Sequence, residues 1–363
     1  MIVAVFAAFG SSSDGAAAAA ADTYTLPLEL VVPFAPTPVA GAGRSHLAYE
    51  LHITNFGEDA LRIASLEVLE HGKPLARYGG AELGSLLHRV GARKAIDTTL
   101  VKPGLRVIAI LWVTPETGLA TPIELRHRLV MADGQRIEGG AVRTATLPAV
   151  NLGPPLRGEW IAFGGAGAKS YHGQFPPVAV DGVVRHPDRF SIDWFQSSTD
   201  ASRFAGDEAD TRQAYGADLL AVADAVVAAV RDGIPENEFG HWPHYPRGAT
   251  STMDLTAGNY VMLDLGQGRF AFYAHVKPGS LRVRVGDRVR RGQVLGALGL
   301  SGNTAYPHLH FQVNAEASPD SEALPYQFDD FEMPGEAGQG WVRHRNELPM
   351  TPSGDPPRVR FAN

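Results

Sequence analysis

The sequence predicts a mainly β protein of two successive domains. Forty glycines and 26 prolines in 363 residues supply turns at a density that leaves little room for long helices. Several short stretches alternate apolar and polar residues with period two, the pattern of a strand that buries one face. A proline-rich break at residues 151–155 divides the chain into two pieces, each long enough to form its own core.

Residues 24–150 make the first piece. The stretches 47–53, 105–111 and 123–129 alternate, and the turn signals Asn55-Phe56-Gly57, Lys102-Pro103-Gly104 and Ala132-Asp133-Gly134 separate them. Short strands at this spacing predict an immunoglobulin-like β-sandwich. Its histidines, His46, His52, His71, His88 and His127, fall into no ligand spacing and read as surface or strand residues. Residues 151–155 read as a linker, because Pro154 and Pro155 after Gly153 cannot continue a ladder. A second domain is expected over 156–335. Residues 336–363, rich in glycine and proline and without periodicity, read as an extended C-terminal extension. Within the second domain, residues 217–230 admit a helix by their alanines or a hairpin by their valines and Asp224.

Composition narrows the function. A 44% hydrophobic and 20% charged chain is globular, and a net charge of -7 offers no basic field for nucleic acid. With no cysteine, disulfides and thiol chemistry are excluded, and a metal site must be built from His, Asp and Glu. Residues 2–10 form a short apolar run, followed by the small-residue tract 16–21. Residues 1–23 therefore read as a signal or leader, atypical because the first basic residue is Arg44. An extracytoplasmic location, periplasmic or secreted, is the expectation.

Four segments carry chemistry. In Pro307-His308-Leu309-His310-Phe311, alternation puts His308 and His310 on one face and Leu309 and Phe311 in the core. Two imidazoles on one face suit a zinc ligand beside an acid/base. Tyr273-Ala274-His275 ends an alternating run. The stretch 283–296 reads as a compact hairpin hinged on Gly286-Asp287 and Arg291-Gly292. Arg189-Phe190-Ser191-Ile192-Asp193-Trp194 presents a carboxylate within an apolar strand, where it needs a metal, an arginine or hydrogen bonds.

Taken in order, residues 258–261, Tyr273-Ala274-His275, Val285-Gly286-Asp287-Arg288-Val289, Gly292-Gln293, Ser301-Gly302-Asn303 and the His-x-His segment resemble the LytM/lysostaphin-type zinc metalloendopeptidases that cleave peptidoglycan. The likeness is nearly continuous over 258–313, weakens towards 189–194 and 215–235, and does not reach the first 150 residues. It implies a LytM-like antiparallel β-sheet peptidase domain with a shallow groove, and turns 217–230 into strands. It further implies zinc as cofactor, Asp193 and His310 as ligands, and His308 and His275 as general base and transition-state stabiliser. Peptidoglycan peptides would be the substrate, and the N-terminal domain could meet the cell wall or a protein partner.

One position departs from that family. Its first ligand, a histidine four residues before the aspartate, is Arg189 here, and a guanidinium does not ligate zinc. The expected substitute is His172, in the polar segment 169–173, with His186 next. The alternative is a catalytically inactive module that binds and regulates a wall hydrolase, with Arg189 on the same strand face as Asp193 and paired to it in place of metal. A biotinyl-type carrier, suggested by the 283–296 segment, fails because residues 282–310 contain no lysine. Trp160, Trp194 and Trp242 read as groove or core residues, and His244 as a more distant neighbour of the metal.

Overall fold

The computed structural model describes residues 26–91, 96–116, 123–165, 167, 169–196, 212–243, 253–336 and 339–362. The leader, residues 1–23, and His244 lie outside them. Two antiparallel sheets enclose the N-terminal core. One runs in the order Leu28–Val31, Arg44–Asn55, Arg106–Val113, Leu87–Arg89, and the other Arg136–Arg143, Glu124–Met131, Leu61–Glu70, Lys73–Gly79. Alternation explains the packing. Leu47, Tyr49, Leu51 and Ile53 on one sheet share a core with Leu66, Val68, Leu125 and Leu129 on the other.

The strand Arg44–Asn55 is buried on its other face as well. There His46, Ala48, Glu50 and His52 are each at most 4% exposed, and Ala48 joins the core of the second domain. His46, His52, His88 and His127 are strand residues and His71 lies in an exposed turn, as expected, but His46, His52 and His127 are buried. His127 is held between the Tyr49 hydroxyl (2.9 Å) and the Gly140 carbonyl (3.0 Å).

The second domain is organised by a large sheet. Its order is Arg288–Val289, Ala225–Arg231, Tyr260–Asp264, Phe270–Ala274, Leu309–Asn314, Ile192–Phe195, Gly158–Phe163, Arg358–Phe361, Phe331–Pro334, Trp341–His344. The stretch 217–230 forms strands Asp218–Leu220 and Ala225–Arg231, but not a hairpin, since the first pairs with Val294–Ala297 and the second with Tyr260–Asp264. Three further expectations are corrected. Residues 283–296 are not a self-paired hairpin, since Arg288–Val289 pairs with Ala225–Arg231 and Val294–Ala297 with Asp218–Leu220. The linker begins as strand: Val150–Leu152 pairs in parallel with Tyr326–Phe328, because the prolines that end the ladder come only at 154 and 155. The C-terminal extension is structural. Arg358–Phe361 lies beside Gly158–Phe163, and its four residues are too short a period-two run to stand out among the surrounding glycines and prolines.

Phe361, 1% exposed, packs its ring 5.2 Å from Trp194 and 5.4 Å from Phe328. Trp194 lies directly beside Asp193, so this contact supports the strand that carries the carboxylate. Phe361→Ala should cost about 3–5 kcal/mol of stability by denaturant titration. A loss below about 1 kcal/mol would mean that the C-terminal strand is not part of this core.

Glu50 and Arg189 tie the two domains together. Arg189 Nε donates to Glu50 Oε1 at 3.0 Å, Nη2 pairs with Oε2, and Nη1 stands 2.6 Å from Glu322 Oε1. All three side chains are buried. Burial alone would raise the Glu50 pKa, but the charges of Arg189 and His186 outweigh it and hold the carboxyl below its usual range. Glu322 behaves oppositely, pushed up by its burial. A depressed carboxyl pKa contributes stability that is present above the unfolded-state pKa and lost as pH falls through the folded one. Glu50→Gln should therefore be less stable than the unmodified chain near neutrality and lose less of its stability between about pH 5 and pH 3. Parallel pH–stability curves for the two proteins would rule out a stabilising charge at Glu50.

Candidate functional site

Neighbouring strands of the large sheet deliver the site in register. Phe163 lies opposite Asp193, Asp193 opposite His310, and His310 opposite Ala274, after which the chain turns at His275. Directly opposed residues project from the same face, so the carboxylate and the imidazole of His310 must meet. Leu309 and Phe311 are fully buried on the other face. His275 takes a left-handed backbone, φ +61°, which costs about 1–3 kcal/mol at a non-glycine residue and swings its ring over the sheet.

The fourth imidazole arrives from a short 3-10 turn, His172–Gln174. Gly164 permits its approach: it has φ +66°, and a Cβ there would lie 2.5 Å from His172 Nδ1.

Asp193 is 8% exposed and faces three imidazoles. His310 Nδ1 is 2.8 Å from Oδ1, His308 Nε2 is 3.4 Å from Oδ1, and His172 Nε2 is 3.3 Å from Oδ2. Burial would raise the Asp193 pKa, but His172 and His308 hold it well below the usual range. Burial lowers the affinity of His310 for a proton, yet the hydrogen bond and charge of Asp193 prevail and lift its pKa to about 9. His172 is raised in the same way. The centre of the site is thus a field that favours positive charge. His275 is the exception: burial and the neighbouring His308 and His310 hold its pKa well below the usual value, so it is neutral at pH 7.

Backbone carbonyls and one amide fix each ring. His172 Nδ1–H faces the carbonyls of Gly164 and Ser191, both at 3.1 Å, leaving Nε2 towards Asp193. His275 Nδ1–H donates to the Ser301 carbonyl at 2.8 Å, and His308 Nδ1–H to the Tyr306 carbonyl at 2.9 Å. His310 Nε2–H donates to Gln312 Oε1 at 2.8 Å, and Gln312 Nε2 donates to the Pro187 carbonyl, which sets the amide's orientation. His308 also stacks on Phe195 with ring centroids 4.4 Å apart.

Among the described residues, His172, Asp193 and His310 form a group whose potential ligand atoms all lie within 4.8 Å of one another. The structure therefore brings together all five residues singled out in the sequence: His172, Asp193, His275, His308 and His310. It does not bring in His186, which is 1% exposed with Nδ1 3.1 Å from Glu50. The Arg189–Asp193 pair that the inactive alternative requires is absent. Ser191 N–H closes a turn onto the Asp188 carbonyl and the strand begins only at Ile192, so Arg189 does not share the strand face of Asp193 and meets Glu50 and Glu322 instead. Sequence reasoning missed Gln312, whose two-residue spacing from His310 was a usable signal, and Gly164, Glu50 and Glu322, which carry no local signal.

The site opens into a groove of about 420 Å³ walled by Phe163, Tyr171, Phe175, Phe195, Trp242 and Tyr306. Trp160 and Trp194 lie in the core, whereas Trp242, 65% exposed, stands at the rim. All residues lining the groove come from position 163 onwards, so the described N-terminal sheets leave it open.

Comparison with known proteins gives partial matches. Residues 209–321 match the profile of Peptidase family M23. The chain is 35% identical over 63 residues to the peptidoglycan DD-endopeptidase ShyA of Vibrio cholerae, a match covering 17% of this chain and 14% of that protein. It is 34% identical over 99 residues to the glycyl-glycine endopeptidase ALE-1 of Staphylococcus capitis, covering 27% and 24%. The matches thus span less than a quarter of either relative. The catalytic domain of lysostaphin from Staphylococcus simulans aligns at 20% identity and a TM-score of 0.25, over 46% of this chain and 86% of that one. Residues 209–321 therefore carry a domain of Peptidase family M23, which includes His275, His308 and His310, whereas His172 and Asp193 precede the matched residues.

Proposed function

We propose that this chain is a zinc-dependent endopeptidase that hydrolyses peptide bonds in peptidoglycan cross-links or stem peptides. The observation that carries the reading is the convergence of His172, Asp193 and His310 beside two further imidazoles in one open groove. The donor set fits zinc: two imidazole nitrogens and one carboxylate oxygen, held by ring N–H bonds to the protein, with the groove side free for a fourth ligand. The family match and the endopeptidase relatives support the substrate class.

His172 Nε2, an Asp193 oxygen and His310 Nδ1 would hold the ion. When bound, zinc supplies Lewis acidity towards a carbonyl oxygen and acidifies water. We exchange the two roles that the resemblance implies: His275 is neutral, with Nδ1–H fixed on Ser301, so its Nε2 can accept the proton of the attacking water. His308, the remaining imidazole, turns Nε2 to the same space, and as an imidazolium, with Nδ1–H held on Tyr306, it would donate to the developing oxyanion. The aromatic walls exclude water and orient an extended peptide across this pair. Because its substrate lies outside the cytoplasm, we place the protein there, in keeping with the apolar run at residues 2–10; cell fractionation tests this.

Purified protein should bind about one zinc per chain, and His172→Ala, Asp193→Ala or His310→Ala should abolish binding. His275→Ala and His308→Ala should retain zinc while peptide release from purified peptidoglycan falls about 10²–10⁴-fold. Absence of zinc after supplementation would defeat the hydrolase reading, and zinc retained in His172→Ala would send the third ligand elsewhere. Gly164→Ala must push His172 aside, and its zinc affinity should fall at least tenfold, about what loss of an orienting contact costs. Unchanged affinity would show that the ring can move without consequence.

A further inference from the structure

Arg189 occupies the position where the resembled family has a ligand, yet its guanidinium points away from Asp193 into the interface between the domains. Its forked bond with Glu50 comes from the strand Arg44–Asn55, on the face turned away from the N-terminal core. Glu322 completes the cluster from beyond the His-x-His strand and accepts the His186 backbone N–H at 2.9 Å. Phe190, 1% exposed, packs towards Trp112 of the N-terminal sheets, with ring centroids 6.3 Å apart. The segment 186–191 is thus fixed at several points, and two of them belong to the other domain.

That segment also carries the groups that orient two imidazoles of the site. The Ser191 carbonyl faces His172 Nδ1–H at 3.1 Å. Ser191 Oγ donates to Gln312 Oε1 at 2.7 Å, the oxygen that accepts His310 Nε2–H. The Pro187 carbonyl accepts from Gln312 Nε2 at 3.0 Å and sets which end of that amide meets His310. A shift of 186–191 would loosen both rings at once.

We infer that Arg189 is a positioning residue through which the N-terminal sheets, by way of Glu50, hold His172 and His310 in register. For the metal ion, this inference rests on the zinc reading above; for the imidazoles, it rests on the hydrogen-bond chain. The N-terminal sheets are then a working part of the site and not only a tether or a binding module. Without Glu50, the guanidinium keeps one carboxylate partner, and its segment loses its ionic anchor on the N-terminal sheets and keeps only the Phe190–Trp112 contact there.

The test uses the full chain labelled with ¹⁵N at histidine, with zinc alone as the metal probe. In the unmodified protein, the His172 Nδ1–H and His310 Nε2–H protons should be protected from exchange with water. In Glu50→Gln, with its circular dichroism unchanged, that protection should be lost at both rings, and zinc affinity should drop about 10–100-fold. Arg189→Lys, which keeps a cation but not the fork, should fall between the unmodified chain and Arg189→Met; it carries the comparison if Glu50→Gln does not fold. A folded variant with unchanged ring protons and unchanged zinc affinity overturns the inference. If the unmodified chain binds no zinc but its ring protons are protected, and lose protection in the variant, the positioning role stands and the zinc reading falls.

Discussion

A carboxylate buried against imidazoles governs this structure. Asp193 is almost excluded from water, and an isolated charge there would be prohibitively expensive. The fold answers with His172, His308 and His310 on a single acid. Such an arrangement survives only if the rings cannot turn away, so every imidazole of the site has one nitrogen tied to the protein. The remaining nitrogens are aimed at one point or at the groove beside it, as the proposed chemistry requires.

Holding four rings in place makes demands on the rest of the molecule. Strand register brings Asp193 and His310 together without further help. His172 depends on a left-handed glycine and on a carbonyl supplied by a turn, and His275 on a strained backbone. The turn is secured by a buried ionic cluster that reaches into the first domain. A buried ion pair contributes little net stability relative to apolar packing, but breaking it costs about 3–5 kcal/mol. Such a cluster suits a place where geometry matters more than total stability.

Much of the site was legible in the sequence, for identifiable reasons. Period-two alternation placed His308 and His310 on one face and Leu309 and Phe311 beneath, and the structure follows that pattern. Of the two histidines weighed as a third ligand, His172 stands beside Asp193 and His186 is buried beside Glu50. The alternative that paired Arg189 with Asp193 failed because it assumed a regular strand from 189 to 193, whereas the turn at Asp188–Ser191 breaks the parity on which it rested. The true partners of Arg189 stand 139 and 133 positions away, and such distant pairs leave no local trace. The C-terminal strand and the parallel pairing of Val150–Leu152 were hidden similarly, since short strands draw their stability from neighbours and not from their own pattern.

The central claim is that His172 takes the place of the ligand absent at position 189. Anomalous scattering at the zinc edge from crystals of the zinc-loaded full chain tests it most directly. A single peak should lie about 2.0–2.2 Å from His172 Nε2, an Asp193 oxygen and His310 Nδ1, with Arg189 still on Glu50. A peak coordinated without His172, or one at the His186–Glu50 cluster, would contradict it.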